Sequence, residues 1–242
     1  MKAKPKKTPL LSALLLSAAL PASAQQQADG EANFAFRTID NGTAVEITGY
    51  TGGNTDVRIP DRIQQGLPVT VIGEDAFAGN QLTGVSIPNS ITHIGETAFA
   101  NNQLTGVNIP NSVRRIGDGA FWDNQLTSVS IPNSVTYIGA GAFGYNQLTS
   151  LNIPDSVTHI GWFAFAGNQL TSVSIGNSVT FIGAAAFWDN QLASVSIPDS
   201  VTYISDEAFA GNLLTSVSIP AHTEVHPTAF DPGVTVTRRQ QP

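Results

Sequence analysis

The chain has 242 residues, 18 Asp and Glu against 11 Lys and Arg, a formal charge of −7, and no cysteine. All four lysines (Lys2, Lys4, Lys6, Lys7) lie at the extreme N-terminus, so beyond residue 24 the charge is 7 − 18 = −11. An acidic, lysine-free body argues against nucleic acid and anionic lipid as partners, and the absence of cysteine excludes a disulfide framework and a lipid-modified Cys.

Residues 1–24 read as a secretory signal peptide. The four lysines form a basic leader, Pro9 to Leu20 is apolar but too short to span a bilayer, and Ala22-Ser23-Ala24 fits the small-residue cleavage rule. No later segment is long and apolar enough to anchor the chain in a membrane, so no insertion is expected after cleavage, and the expected location is secreted, extracellular or cell-surface, with the periplasm as a further possibility. Residues 25–32 are expected to be a disordered lead.

Residues 33–71 are expected to form an N-terminal cap and a first irregular repeat. The runs NFAFRTI and TAVEITGY have strand character, with turns at Asn41-Gly42 and Gly52-Gly53-Asn54, and would cover the open core of the first coil.

From 72 to 219 the chain repeats itself. AFWDNQLTSVSIPNSVTYIG at 120–139 and AFWDNQLASVSIPDSVTYIS at 186–205 are two copies 66 residues apart. Phe77, Phe99, Phe121, Phe143, Phe165, Phe187 and Phe209 recur every 22 residues, and Phe230 follows at 21. Columns of Asn (80 to 212), Leu (82 to 214), Val or Leu (85 to 217) and Ile (87 to 219) keep the same phase. Each coil buries its apolar edge only against its neighbours, so the pattern specifies a solenoid. Within a coil, L-T-S-V-S-I has the form of a leucine-rich repeat strand, Val and Ile inward and Ser outward. Proline ends it, P-N-S or P-D-S turns the chain, and S-V-T-x-I forms a second short extended segment. The glycines at 95, 117, 139, 161 and 183 are read as positive-φ residues. The segment x-x-A-F-x-x-N allows about one helical turn at most. The Asn column is read as a buried amide ladder rather than a ligand row, because buried polar groups need partners and a ladder supplies them. Residues 220–242 begin as a repeat, slip by one residue, and are expected to form a C-terminal cap and tail.

The stretch AFAGNQLTSVSIGNSVTFIGAAAF resembles the BspA-like, Treponema-type class of leucine-rich repeats, and the likeness extends over about residues 34–231. Departures are Gly176 for Pro, Ala193 for Thr, Ser205 for Gly and Leu213 for Gln. The resemblance implies a right-handed leucine-rich repeat solenoid of 22-residue coils with short parallel strands. It also implies a surface-exposed or secreted bacterial protein used in adhesion and protein binding, not in catalysis.

Outward positions are where a partner would be met. His93, Arg115, Tyr137, His159, Phe181 and Tyr203 occupy one position of the second extended segment, and at about 4.8 Å per strand they should stack into a single stripe suited to protein or sugar contacts. The face of the first strand, represented by Ser128, Ser130, Ser150, Asn152, Ser172 and Ser174, is small, polar and uncharged, and is a secondary candidate surface. Trp122 and Trp188 hold equivalent places three coils apart, with Trp162 and Phe163 on a coil between, and they could form an apolar patch. No enzyme, metal or cofactor is expected. His93 and His159 are three coils apart, Pro227 argues against a zinc pair at His222 and His226, and no Ser has a fixed His–Asp partner. The partner is expected to be an extracellular protein or glycan. A structural envelope-associated solenoid without a ligand is the alternative, and a binder of ice or crystal surfaces is a third reading suggested by the Ser and Thr ladders.

Overall fold

The computed structural model describes residues 29–240. The expected signal peptide (1–24), the first four residues of the lead and the last two residues of the tail lie outside the described residues. Among the described residues the chain is a β-solenoid with almost no helix. One sheet runs the length of the array and begins with an antiparallel hairpin, Phe34–Ile39 with Ala44–Tyr50. It continues in parallel through Leu67–Ile72, His93–Ile94, Arg115–Ile116, Tyr137–Ile138, His159–Ile160, Phe181–Ile182, Tyr203–Ile204 and Glu224–Val225.

This sheet is built by the second extended segment, not by L-x-x-V-x-I. The latter forms only two-stranded ladders: Asp56–Arg58 with Gly84–Ser86, Val107–Asn108 with Val129–Ser130, Ser150–Asn152 with Ser172–Ser174, and Ser216–Pro220 with Thr235–Arg239. Residues flanking the strands extend the ladders of both segments, but only in the second does each strand pair with the next without a break. Thr92 N donates to Thr70 O at 2.8 Å and Gly95 N to Ile72 O at 2.8 Å, and the pattern recurs from coil to coil.

The core is the set of inward columns. The seven Phe rings from Phe77 to Phe209 have no solvent exposure and stack at 5.0–5.6 Å between centroids, with their planes nearly parallel. Phe230 extends the stack at 5.4 Å, and Tyr50 closes the other end on Phe77 at 5.6 Å with Phe34 against its edge. The Val column at 85, 107, 129, 173 and 195 packs on this core but stays partly exposed, while Leu151 and Val217 are buried.

The Asn column is a ladder between coils. Asn124 Oδ1 accepts from Leu104 N at 3.1 Å, and its Nδ2 donates to Phe99 O at 2.9 Å and to Phe121 O at 3.2 Å. Asn102, Asn146, Asn168 and Asn190 repeat the arrangement in buried positions. Each side chain thereby satisfies amides and carbonyls in turns that no strand reaches.

The glycine column differs from its expected role. Gly95, Gly117, Gly139, Gly161 and Gly183 do not take positive φ. A Cβ on each would lie 2.5–2.8 Å from backbone atoms of the preceding coil. Coils touch backbone to backbone here, and only the absence of a side chain allows it. The left-handed residues stand two places later, at Thr97, Gly119, Gly141, Phe163, Ala185 and Glu207, with φ of 48–63°. Gly176, where other coils carry Pro, follows the close-contact rule, because a Cβ there would meet Pro154 O at 2.5 Å.

Both ends are tied down. At the start of the described residues the Asp29 carboxylate accepts from Arg58 N at 2.8 Å and Asn54 Nδ2 at 2.5 Å. At the other end much of the expected tail is a strand, Thr235–Arg239, parallel to Ser216–Pro220. Arg238 Nη1 donates to Ala221 O and Thr223 O at 2.8 and 2.9 Å. Arg239 donates to Ser218 O and Asp199 Oδ1, both at 2.8 Å, and to Ile197 O. Two arginines thus hold the final strand against the last coils through carbonyls the array leaves open.

Candidate functional site

The six stripe residues are brought into line. Consecutive pairs from His93–Arg115 through Phe181–Tyr203 are in direct parallel register, each one residue before a buried Ile. His93, Arg115 and His159 are exposed, whereas Tyr137, Phe181 and Tyr203 are half-buried. The half-burial follows from side chains lying on one another. The Arg115 guanidinium carbon sits 4.3 Å from the centre of the Tyr137 ring. Phe181 stacks on Tyr203 at 5.9 Å with 6° between planes, and His159 tilts against Phe181 at 6.1 Å. His93 and His159 are each hydrogen-bonded through Nδ1 to the hydroxyl of the preceding Thr, at 2.8 and 2.9 Å.

Ser128, Ser130, Ser150, Asn152, Ser172 and Ser174 are all exposed on the other strand face, with Ser150 beside Ser172 and Asn152 beside Ser174. These six residues offer hydroxyls and an amide but no aromatic or charged anchor; charge enters the face at its first coil, at Asp56 and Arg58.

The tryptophans divide into two kinds. Trp122 lies over the backbone of the next coil, where a Cβ on Gly144 would be 2.6 Å from its ring, and it meets Tyr145 edge-on at 4.6 Å. Gly144 holds the position that other coils give to Ala100 or Ala166, so Trp122 fills a gap the sequence leaves for it. Trp188 is likewise half-buried. Trp162, in contrast, is 60% exposed, and Phe163 beside it is 44% exposed. Trp162 forms the wall between two shallow clefts. One, of about 310 Å³, opens onto the stripe and is lined by Tyr137, His159 and Phe181 together with Asp118 and Ala140. The other, of about 380 Å³, lies toward Trp122, Gly141 and Phe163.

Asp118 was not among the residues singled out from the sequence, and Trp162 was noted without a link to the stripe. The signal is the position after the Gly column: Glu74, Glu96, Asp118, Ala140, Trp162, Ala184, Asp206. Its change from acidic to aromatic and back marks the centre of the array.

Among the described residues no group of three His, Asp or Glu could hold a metal ion. His226 instead faces Asp206 at 3.3 Å and the Thr228 hydroxyl at 2.8 Å, in the C-terminal cap. Among the described residues no helix is long and apolar enough to cross a membrane.

Comparison with known proteins agrees with this geometry. The BspA type leucine rich repeat region matches in six copies over residues 55–161 and 114–233. Among solved structures, a leucine-rich repeat protein of T. pallidum superposes with a TM-score of 0.58 at 24% identity, over 87% of this chain and 86% of that one. One from Bacteroides ovatus gives 0.50 at 21% identity, over 85% of this chain and 70% of that one. At these identities the likeness concerns the fold. No curated protein sequence matches.

Proposed function

The chain belongs to the BspA-type leucine-rich repeat family, and on that premise we propose that it is a secreted or surface-exposed bacterial scaffold that holds an extracellular protein, in the service of adhesion. The observation that carries this reading is the stripe. Six consecutive coils present His, Arg, Tyr, His, Phe and Tyr in register along the one sheet that is continuous from cap to cap. Aromatic and arginine side chains are those that concentrate binding energy at protein interfaces, and a rigid array presents them already ordered. The six residues of the Ser-rich face include no such anchor, and that face is the lesser candidate.

The test is capture of extracellular proteins by the chain lacking residues 1–24, followed by affinity measurement on what is captured. The double change Tyr137→Ser with Tyr203→Ser is expected to weaken capture at least tenfold, about 1.4 kcal/mol. A modest loss of thermal stability accompanies it, because both rings are half-buried. Capture at the wild-type level would remove the stripe from consideration and direct the same experiment to Ser150 and Ser172. Secretion is tested separately, by N-terminal sequencing of protein exported from cells, with Gln25 as the expected first residue.

A further inference from the structure

We propose that the cleft beside Trp162 receives an arginine side chain offered by a basic, extended segment of the protein partner. This rests on the binding reading above and gives the partner a chemistry.

The walls carry the first part of the argument. Tyr137, His159, Phe181 and Trp162 place aromatic rings around the cleft, and Asp118 is the one carboxylate among its lining residues. Ring faces carry negative quadrupole potential, so rings and carboxylate together attract a cation with an apolar stem. At about 310 Å³ the space is near the lower limit of small-ligand pockets, roughly 300 Å³, and suits one planar head rather than a large ligand.

The stripe itself supplies the second part. Arg115 already lays its guanidinium over Tyr137 at 4.3 Å. This row therefore accepts a guanidinium stacked on a ring, and in the next two coils the row continues with His159 and Phe181 without another arginine. Guanidinium is preferred to ammonium because it is planar and weakly hydrated, and stacks without losing its hydrogen bonds at the edge.

The repeat supplies the third. Trp162 replaces the carboxylates found at Glu74, Glu96, Asp118 and Asp206, and the neighbouring coils carry only Ala140 and Ala184, which leaves both sides of the indole low. On a chain with 18 acidic residues and seven arginines beyond residue 24 (11 − 4), an aromatic cleft that holds Asp118 is complementary to a basic partner.

The test uses a fluorescein-labelled peptide, Gly-Arg-Ser-Gly-Arg-Ser-Gly, and a twin in which both arginines are citrulline, isosteric but neutral. Fluorescence anisotropy at fixed ionic strength should show the arginine peptide binding at least tenfold more tightly. Trp162→Ala and Asp118→Asn should each weaken it at least fivefold. Neither should disturb the fold: Trp162 is exposed, and Asn keeps an acceptor for Ala140 N, which Asp118 Oδ1 meets at 3.0 Å. Equal binding of the two peptides would overturn the proposal, as would full binding by Trp162→Ala. An equal loss from Glu74→Gln with Glu96→Gln would also overturn it, because diffuse attraction to an acidic surface would then suffice. An oligosaccharide that binds at Trp162 while the arginine peptide does not would assign the cleft to a sugar instead. The stripe fails by a different result, undiminished capture by the Tyr137→Ser, Tyr203→Ser variant, so the two readings are separable.

Discussion

Leu126 N donates to Asn146 Oδ1 at 3.0 Å across the boundary between two coils, while Asn146 Nδ2 donates to Phe121 O at 2.9 Å, also in the preceding coil. One buried side chain thus joins two turns that no sheet connects. Its removal leaves the buried Leu126 N without its acceptor, a cost met in full, while Phe121 O, Phe143 O and Gly144 O each lose one of two donors and keep Asn124 Nδ2, Asn168 Nδ2 and Asp123 N respectively.

Asn146→Ala is accordingly expected to destabilise the protein by about 1–3 kcal/mol in urea melts. Asn80→Ala should cost less than half as much, because Asn80 is only half-buried and bonds its own turn at Ala78 O. Equal costs at the two sites would mean that the ladder between coils contributes nothing beyond local turn geometry. Partner capture should be unchanged in both variants once folding is controlled for.

Phe143→Ala removes a ring with no solvent exposure from the middle of the stack, 5.3 Å from Phe121 and 5.6 Å from Phe165. The expected loss is about 3–5 kcal/mol, with the cavity adding to the lost transfer free energy. A loss under about 1 kcal/mol in the same melts would show that neighbouring coils collapse into the gap.

Gly139→Ala places a methyl group 2.5 Å from Gly117 C and Asp118 N. These are backbone atoms, so the coils must separate, and a loss of about 1–3 kcal/mol is expected. Gly106→Ala is the control, since no atom lies within 4 Å of its Cβ position, and it should change stability by no more than about 0.5 kcal/mol. If the two behave alike, close approach is not what selects glycine at this column.

Tyr50 carries a pH dependence. Burial, and then the negative charge of Asp29, hold its hydroxyl above the ordinary value of 10.0. The folded state favours the neutral phenol, so its contribution is complete below pH 10 and is lost as pH rises from there through the raised folded value. Comparison of wild type with Tyr50→Phe in denaturant melts from pH 8 to 11.5 should show the wild type losing more stability over the alkaline part of the range. Parallel curves would mean that Tyr50 ionises in the folded cap as freely as in the unfolded chain.

What the sequence alone determined is everything that repeats at one fixed offset. The 22-residue period, the inward Phe, Leu and Ile columns, the Asn ladder and the alignment of the stripe are all legible, because in a solenoid residue i meets residue i+22 and periodicity in the chain becomes contact in space. What depends on the path of the backbone between columns was decided only by the tertiary structure. The glycines at 95 to 183 look the same in sequence whether they supply positive φ or close approach, and the distance between coils settles it. Both extended segments alternate apolar and polar residues, so only the pairing of successive strands in space shows which sheet is continuous. The cleft at Trp162 joins Asp118, Tyr137, Trp162 and Phe181 from four different coils and two different repeat positions. Such a site arises where the repeat is broken, and no single column of the sequence contains it.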